Sequence, residues 1–322
     1  MYEAIARNKR RSLLFIAAFV LFWLIAGALV GALLGANLRP PQAGDSMWSD
    51  HAVRTAAAAG VVIGAVVAGV GVLFSLLAGA RLILRTSGAT PATGDRYRPL
   101  RDLVDALAIG EGIPTPAVYV IEDPSPNAFS TGLGPSRAAI TYTTGLLELM
   151  NHEELEGVTG HEMSHIRNHD IRLLLIVGTL LGIAALLASA LWRGAYWSAF
   201  LDDGGDGGSA LVLVLFGASA ILALVGFVVG PLIRLALSRG REGLADVDGV
   251  DLTRNPTGLL SALKKLQHNE LPFKGMNHVT AAMCIDDPLR RHRGWYHRLY
   301  DTHPPIEDRI RQLEVIASGL VI

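Results

Sequence analysis

Four long apolar runs restrict what this chain can fold into. They cover residues 13–38, 56–80, 173–192 and 211–237, and a helix needs about 20 apolar residues to cross a lipid bilayer. The first run is too long for the apolar core of a signal peptide, and no convincing cleavage site separates it from the second. The sequence therefore predicts a mainly α-helical membrane protein with four transmembrane helices.

The composition agrees with a membrane protein and argues against some partners. Hydrophobic residues make up 51% of the chain and charged residues 18%, whereas soluble proteins average about 25% charged residues. The net charge of -1 gives no reason to expect a basic face for nucleic acid. We therefore expect the lipid bilayer as a partner and no nucleic acid. The single cysteine, Cys284, cannot form an internal disulfide.

Basic residues flank the apolar runs unevenly and predict an orientation. Arg and Lys crowd residues 7–11 and recur across 81–101, whereas the loops after the first and third runs contain few of them. Cytoplasmic loops of membrane proteins are enriched in Lys and Arg. We therefore expect a multi-pass protein of the cytoplasmic (inner) membrane, with its N-terminus on the cytoplasmic side.

Two polar blocks separate and follow two predicted membrane hairpins. The hairpins are residues 1–80 and 173–237, and the blocks are 81–172 and 238–322. Neither block is large enough to bury a generous core alone. We expect the two blocks to fold together into one cytoplasmic α+β domain.

The first polar block contains strand and helix signals. Residues 117–123 (AVYVIED) and 138–143 (AAITYT) are rich in β-branched and aromatic residues and predict two strands, separated by a Pro/Gly/Ser turn region at 124–137. Asn151 followed three residues later by Glu154 predicts a helix start. The pattern favours one helix from there to Arg172.

The stretch VTGHEMSHIRNHDIR within that predicted helix carries metal-site spacing. His161 and His165 are four residues apart, which is about 400° of helical rotation, so both side chains project from nearly the same face. Glu162, one step round, could accept a proton from a water on a shared ion. This H-E-x-x-H pattern is typical of zinc metalloproteases.

A third ligand is needed, and the sequence offers a candidate after the fourth run. Glu242 and Asp246, in SRGREGLADVDG, share a helical face if that segment is helical. Glu242 could then bind the metal while Asp246 accepts a hydrogen bond from the second nitrogen of a ligating histidine. Because the chain crosses out and back between the two motifs, both lie on the same side of the membrane. The alternative is an ordinary charged collar with Arg239 and Arg241.

Other ligand sets fit less well. A metzincin would carry a third histidine ten residues after the first, but that position is Ile171. His169 shares the predicted helical face of His161 and His165, yet one helix cannot easily place three such side chains around one ion. A surface role or support of a ligand is the more ordinary assignment for His169.

Several separated motifs together resemble one known family. GHEMSHIRNHD, SRGREGLAD, THPPIEDRI and PNAFSTG are similar in order and context to the HtpX-like membrane zinc endopeptidases, relatives of the CAAX prenyl proteases. The likeness covers nearly the whole chain and implies a zincin-like (gluzincin) protease domain. It implies that His161, His165 and Glu242 hold one Zn²⁺ per chain and that Glu162 is the general base.

The resemblance also implies residues that the spacing does not single out. Asn127 matches a family position beside the substrate, near an edge strand to which the peptide adds. His303 matches a hydrogen-bond donor to the tetrahedral oxyanion, and Arg309 a supporting residue next to it at the substrate site. The implied function is hydrolysis of unfolded, misfolded or damaged membrane polypeptides at the cytoplasmic face, as protein quality control.

Two rival functions belong to other classes. An intramembrane protease would embed the motif in an apolar span, but Glu153, Glu154, Arg167 and Asp170 surround it here, and charges at this density are costly in hydrocarbon. A catalytically silent membrane-anchored scaffold or metal-binding protein would have no need of Glu162. The sequence gives no oligomeric state.

Overall fold

The structure is a computed structural model. It describes residues 2–38, 51–201, 212, 215–220, 239–269, 271, 283–285 and 305–319. The chain divides into two compact units. The polar unit comprises Met1–Arg11, Ala78–Gly178 and Pro231–Ile322, and the apolar unit comprises Ser12–Leu77 and Thr179–Gly230.

Three described helices are long and apolar enough to cross a membrane. Helix α1 is Tyr2–Leu38, α2 is His51–Thr86 and α6 is Asp170–Leu201. They coincide with the first three predicted spans and extend beyond each apolar run. The predicted fourth span, 211–237, lies outside the described residues apart from 212 and 215–220. The helical content and these three candidate spans support a mainly α-helical membrane protein.

Helices α1 and α2 approach closely through glycines in the apolar unit. A Cβ atom added to Gly27 would lie 2.1 Å from the carbonyl oxygen of Gly60, and one added to Gly60 would lie 2.0 Å from the oxygen of Gly27. One turn further along, a Cβ on Gly31 would lie 2.2 Å from the oxygen of Ala56. Small residues permit this backbone contact, which is a common basis of helix association in membranes.

The polar unit contains a four-stranded mixed sheet. Its strands are β1 Thr90–Pro91, β2 Ala117–Ile121, β3 Ala128–Gly132 and β4 Ala138–Thr143, in the spatial order β1-β2-β4-β3. Strands β2 and β4 are parallel, and β1 and β3 pair antiparallel to β2 and β4 respectively.

Strand β3 corrects one expectation from the sequence, because it lies inside the region 124–137 that was predicted to be a turn. All five of its residues are buried, so it lacks the alternation of buried and exposed positions that marks a half-buried strand. Its pairing with β4 runs from Ala128 opposite Tyr142 to Gly132 opposite Ala138. The predicted strands at β2 and β4 are confirmed.

Helices cover the sheet and complete the core of the polar unit. They are α3 Arg98–Glu111, α4 Thr144–Leu149, α5 His152–Arg167, α7 Arg239–Thr253, α8 Pro256–His268 and α9 Ile306–Ala317. Helix α5 packs against α7, α8 and β3. The core around α5 contains buried apolar residues from both polar blocks, including Val104, Ile140, Leu146, Val158, Ile166 and Leu263.

Candidate metal and catalytic centre

Helix α5 begins with the capping interaction that its sequence predicts. The Asn151 side chain accepts a hydrogen bond from the backbone N–H of Glu154, whose carboxylate accepts one from the N–H of Asn151. The helix then presents His161, Glu162 and His165 in the interior of the polar unit, where all three are buried. The predicted helical placement of the motif is confirmed.

The helix ends earlier than the sequence suggests. Helix α5 stops at Arg167, and α6 starts at Asp170, so the predicted single helix to Arg172 is wrong. Between them His169 adopts the left-handed conformation, with φ 58°, which is uncommon for a residue other than glycine. His169 therefore does not continue the face of His161 and His165, and among the described residues it is not part of the group that could hold a metal ion.

Helix α7 contacts α5 at two glycines, and this contact brings Glu242 to the histidines. A Cβ added to Gly249 would lie 2.8 Å from the backbone nitrogen of His161, and one added to Gly160 would lie 3.0 Å from the oxygen of Gly249. The two helix backbones thus approach to a distance that a larger side chain would prevent. Glu242 lies two turns before Gly249, in the first turn of α7.

The three predicted ligands form one compact group. His161 Nε2 lies 3.2 Å from His165 Nε2, and each of these nitrogens lies 3.6 Å from an oxygen of Glu242. A tetrahedral ion with bonds of about 2.0–2.1 Å separates its ligand atoms by about 3.3 Å. The nitrogen and oxygen atoms therefore fit a Zn²⁺-sized ion, and the donor set is one that zinc accepts.

The remaining nitrogen of each histidine contacts a carboxylate. His161 Nδ1 lies 2.9 Å from Asp246 Oδ1, as the spacing predicts, and His165 Nδ1 lies 3.0 Å from Asp170 Oδ2. Carboxylate partners of this kind fix the ring orientation and direct Nε2 at a metal. Asp170 was not predicted, because its contact depends on the left-handed turn at His169.

Arg309 completes the chain of contacts behind His161. Its guanidinium binds both oxygens of Asp246 and donates a third hydrogen bond to the carbonyl oxygen of Ile285, at 2.9 Å. Arg309 is only 3% exposed. The resemblance implies that Arg309 supports the substrate site. In the structure its Nη2 also lies 3.4 Å from His161 Nδ1 and its Nη1 lies 3.9 Å from Glu242 Oε2.

Burial and hydrogen bonding act in opposite directions on the pKa values of Asp246 and His161. Burial would raise the pKa of Asp246, but the charge and hydrogen bonds of Arg309, together with His161, lower it to about 2. Burial and Arg309 would lower the pKa of His161, but hydrogen bonds to Asp246 and Glu242 raise it to about 9. Metal binding would have to displace that proton, as ligation of a histidine requires.

Glu162 follows the predicted ligand His161 in helix α5, and its side chain is buried and hydrogen-bonded to strand β3. Its Oε2 accepts a hydrogen bond of 2.6 Å from the Ser130 hydroxyl. Its Oε1 is buried and has no hydrogen-bond partner among the described residues. Leaving a buried carboxylate oxygen without a hydrogen-bond partner costs free energy. Such an oxygen is suited to accept a hydrogen bond from a water molecule or a substrate.

The predicted substrate position lies at the start of β3. Asn127 is buried, and its side-chain oxygen accepts a hydrogen bond from the N–H of Ala128 at 3.0 Å. On the outer edge of the strand, Phe129 forms a bridge with Cys284, and the Ile285 N–H donates to the Ala128 oxygen at 2.9 Å. The chain's own residues 283–285 thus engage this edge at its first two residues.

One predicted site residue lies outside the described residues, and two residues of the site were not predicted. His303 lies outside the described residues, so its role stays a prediction. Ser130 and Asp170 were missed, although Ser130 stands in the quoted motif PNAFSTG. No helical spacing links Ser130 to Glu162, because the contact joins a strand to a helix.

Comparison with known proteins identifies the family. The profile described as Peptidase family M48 matches residues 95–317. The chain belongs to peptidase family M48. It is 38% identical over 315 residues to a Protease HtpX homolog of Ligilactobacillus salivarius (strain UCC118), covering 98% of this chain and 99% of that protein. It is 37% identical over 321 residues to a Protease HtpX homolog of Limosilactobacillus fermentum (strain NBRC 3956 / LMG 18251), covering 98% and 99% respectively.

These M48 relatives confirm the resemblance seen in the sequence. The family and the two relatives support a membrane-bound metalloprotease, and they do not favour the silent scaffold. Among solved structures, the crystal structure of S. mikatae Ste24p is similar with a TM-score of 0.48 and 18% sequence identity, covering 97% of this chain and 67% of that one.

Proposed function

We propose that this chain is a zinc-dependent endopeptidase of the cytoplasmic membrane. It would hydrolyse peptide bonds in unfolded, misfolded or damaged membrane proteins at the cytoplasmic face, as quality control. The observation that carries the proposal is the buried Glu162 carboxylate, which lies next to the group formed by His161, His165 and Glu242 on α5 and α7.

His161, His165 and Glu242 would hold one Zn²⁺ per chain. Two histidines and one carboxylate leave a fourth position open in a tetrahedral site, which is typical of catalytic rather than structural zinc. When bound, zinc would polarise the scissile carbonyl and lower the pKa of a water toward about 7. Asp246 and Asp170 would fix the two imidazole rings for this role.

Glu162 would act as the general base. Its Oε2 is held by Ser130, which orients Oε1 to accept a proton from the attacking water. The same oxygen would then give that proton to the amine nitrogen that leaves when the peptide bond breaks. No covalent intermediate between the peptide and the chain is required.

The remaining assignments concern the substrate and the membrane. We propose that Asn127 lies beside the substrate and that the peptide adds to the edge of β3 beyond Ala128 and Phe129, which residues 284 and 285 already engage. His303 would donate a hydrogen bond to the oxyanion. This placement of the peptide is supported by the hydrogen bond from Ser130 of β3 to Glu162. The Lys and Arg residues of 7–11 and 81–101 favour a cytoplasmic N-terminus and a cytoplasmic protease domain.

Cleavage of an unfolded protein by detergent-purified, zinc-loaded protein tests the function. Glu162→Gln should retain one zinc per chain and lose about 10²–10⁴-fold in kcat, because it keeps the shape of the side chain and removes the base. Glu153→Gln is the matched control, since Glu153 is exposed on the same helix, and it should cleave like the parent. Equal, negligible cleavage by zinc-bound, folded parent and Glu162→Gln would favour the scaffold instead.

A further inference from the structure

Asn8 is a buried polar residue in a strongly charged segment. It stands in RNKRR at residues 7–11, where Arg7, Lys9 and Arg10 are exposed and Asn8 is only 2% exposed. The basic residues are accounted for by membrane orientation, but Asn8 is not. A buried amide needs hydrogen-bond partners, and those of Asn8 lie more than 150 residues away in the sequence.

The Asn8 amide joins the two sides of the break between α5 and α6. Its Nδ2 donates to the carbonyl oxygen of Asn168 at 3.0 Å and to Asp170 Oδ1 at 2.6 Å. An amide nitrogen carries two hydrogens, so it can satisfy both acceptors at once. His169, between these acceptors, holds the left-handed conformation, and the two hydrogen bonds span that residue.

Asp170 connects this contact to the proposed metal site. One carboxylate oxygen accepts from Asn8, and the other lies 3.0 Å from His165 Nδ1. Arg241 Nη1 also approaches Asp170, at 3.4 Å from Oδ1. The hydrogen bond from Asn8 thus restricts the rotation of the Asp170 carboxylate, and the carboxylate in turn orients the His165 ring.

We propose that Asn8 is a positioning residue of the metal centre, acting through Asp170 on His165. The segment that precedes the first apolar run would then be part of the protease site as well as a membrane anchor. This inference rests on the proposed function, because it takes His165 to be a zinc ligand. Asn8 is linked to His165 through the two oxygens of Asp170.

The dissociation constant for Zn²⁺, measured by chelator competition on the full-length protein in detergent, tests the proposal. Loss of a residue that contacts a ligand weakens metal binding by about 10–100-fold. Because Asn8 acts through such a residue, we expect Asn8→Ala to weaken zinc binding by an amount near the low end of this range, about tenfold. If Asn8 acts through Asp170, the double variant Asn8→Ala/Asp170→Ala should bind zinc no more weakly than Asp170→Ala alone.

An exchange of the two side chains gives a second test that keeps their size. Asn8→Asp would place a carboxylate against Asp170 and should weaken zinc binding at least as much as Asn8→Ala. Adding Asp170→Asn should restore affinity to the level of Asp170→Asn alone, because the amide of the new Asn can donate to the new Asp and its oxygen can still accept from His165.

Asn255→Ala is the control for a general loss of stability. The Asn255 side chain also accepts hydrogen bonds at a helix start, from the N–H groups of Thr257 and Gly258, and these contacts do not involve His165. It should lower the melting temperature and leave the zinc dissociation constant unchanged. If Asn8→Ala and Asn8→Asp, like Asn255→Ala, leave the zinc dissociation constant unchanged, the proposal is wrong. It is also wrong if the effects of Asn8→Ala and Asp170→Ala on zinc binding are additive.

The outcomes separate this inference from the proposed function. A parent that binds zinc but cleaves nothing would count against the protease and leave the comparison of dissociation constants valid. A parent that binds no zinc would overturn both. If Asn8→Ala does not fold, the comparison of Asn8→Asp with Asn8→Asp/Asp170→Asn decides the matter. The proposal requires the double variant to bind zinc more tightly than Asn8→Asp alone.

Discussion

Arg309 binds both oxygens of Asp246 inside the polar unit. Its Nε lies 2.9 Å from Oδ2 and its Nη2 lies 2.6 Å from Oδ1, and the two side chains are 3% and 0% exposed. This two-pronged geometry is the strongest form of an arginine–carboxylate pair. Because Asp246 also contacts His161, the pair ties helix α9 to the centre formed by α5 and α7.

Arg309→Ala should destabilise the protein substantially. Removing one partner of a buried ion pair costs about 3–5 kcal/mol, and at roughly 2–4 °C per kcal/mol the melting temperature should fall by on the order of 10 °C. Differential scanning fluorimetry of the metal-free protein measures this. Arg311→Ala, on the same helix, is the control, because Arg311 pairs with Asp308 at an exposed position and should change little. Equal effects of the two substitutions would contradict a structural role of the buried pair.

Ser130→Ala should reduce turnover without releasing zinc. The Ser130 hydroxyl holds Glu162 Oε2, so its loss frees the carboxylate to rotate away from the attacking water. We expect kcat to fall about tenfold, less than the roughly 10²–10⁴-fold that a positioned base contributes, because Glu162 itself is retained, while zinc content stays at one per chain. Kinetics with a fluorogenic peptide and metal analysis measure both quantities.

Thr131→Val is the control for Ser130→Ala. Thr131 is the next residue of β3, is fully buried, and its hydroxyl has no hydrogen-bond partner among the described residues. Replacing it by an isosteric valine should leave kcat close to that of the parent. A fall in kcat as large as that of Ser130→Ala would show that β3 is merely sensitive to substitution.

Gly249→Ala should weaken zinc binding by displacing α7. The added methyl group would lie 2.8 Å from the backbone nitrogen of His161, so the two helices must separate, and Glu242 moves with α7. Overpacking of this kind costs about 1–3 kcal/mol. Gly243→Ala provides the comparison, because the nearest described atoms to its methyl group would be those of the flexible Gln312 side chain, at 3.2 Å or more. Zinc affinity that falls equally in both variants would argue against this contact as the cause.

The sequence predicted that His161, His165 and Glu242 lie together, because helical spacing converts directly into shared faces. His161 and His165 are one helical turn apart, as are Glu242 and Asp246, and each pair meets the other in the structure. The capping pair of α5 was also readable, since it depends on residues three apart. These features need only local periodicity, plus a chain path that returns to the same side.

The features that the sequence did not reveal depend on non-local or irregular geometry. Strand β3 is buried at all five positions and so shows no alternation, and it lies in a stretch rich in Pro, Gly and Ser that suggested a turn. Asp170 reaches His165 only because His169 adopts a left-handed conformation, which no spacing rule predicts for histidine. Asn8 contacts Asn168 and Asp170 from more than 150 residues away in the sequence. Nothing in the sequence around Asn8 or Asp170 predicts that contact.

Glu154 should make the polar unit sensitive to acid. Burial would raise its pKa, but hydrogen bonds from Lys265, Ser261 and the Asn151 N–H outweigh burial and lower the pKa below that of the unfolded chain, about 4.3. A carboxylate with a lowered folded-state pKa stabilises the fold above the unfolded pKa. That stabilisation is lost as the pH falls through the folded-state pKa.

Glu154→Gln should therefore lower the melting temperature at pH 7 and flatten its decline on acidification. Loss of charged hydrogen bonds costs roughly 2 kcal/mol, which corresponds to about 5 °C, and at a pH below both pKa values the parent and variant should converge. Melting curves recorded from pH 7 to pH 3 measure the difference. Glu153→Gln, at the exposed neighbouring position, should follow the parent throughout. A constant offset between parent and Glu154→Gln at every pH would mean that packing, and not the charge of Glu154, stabilises the start of α5.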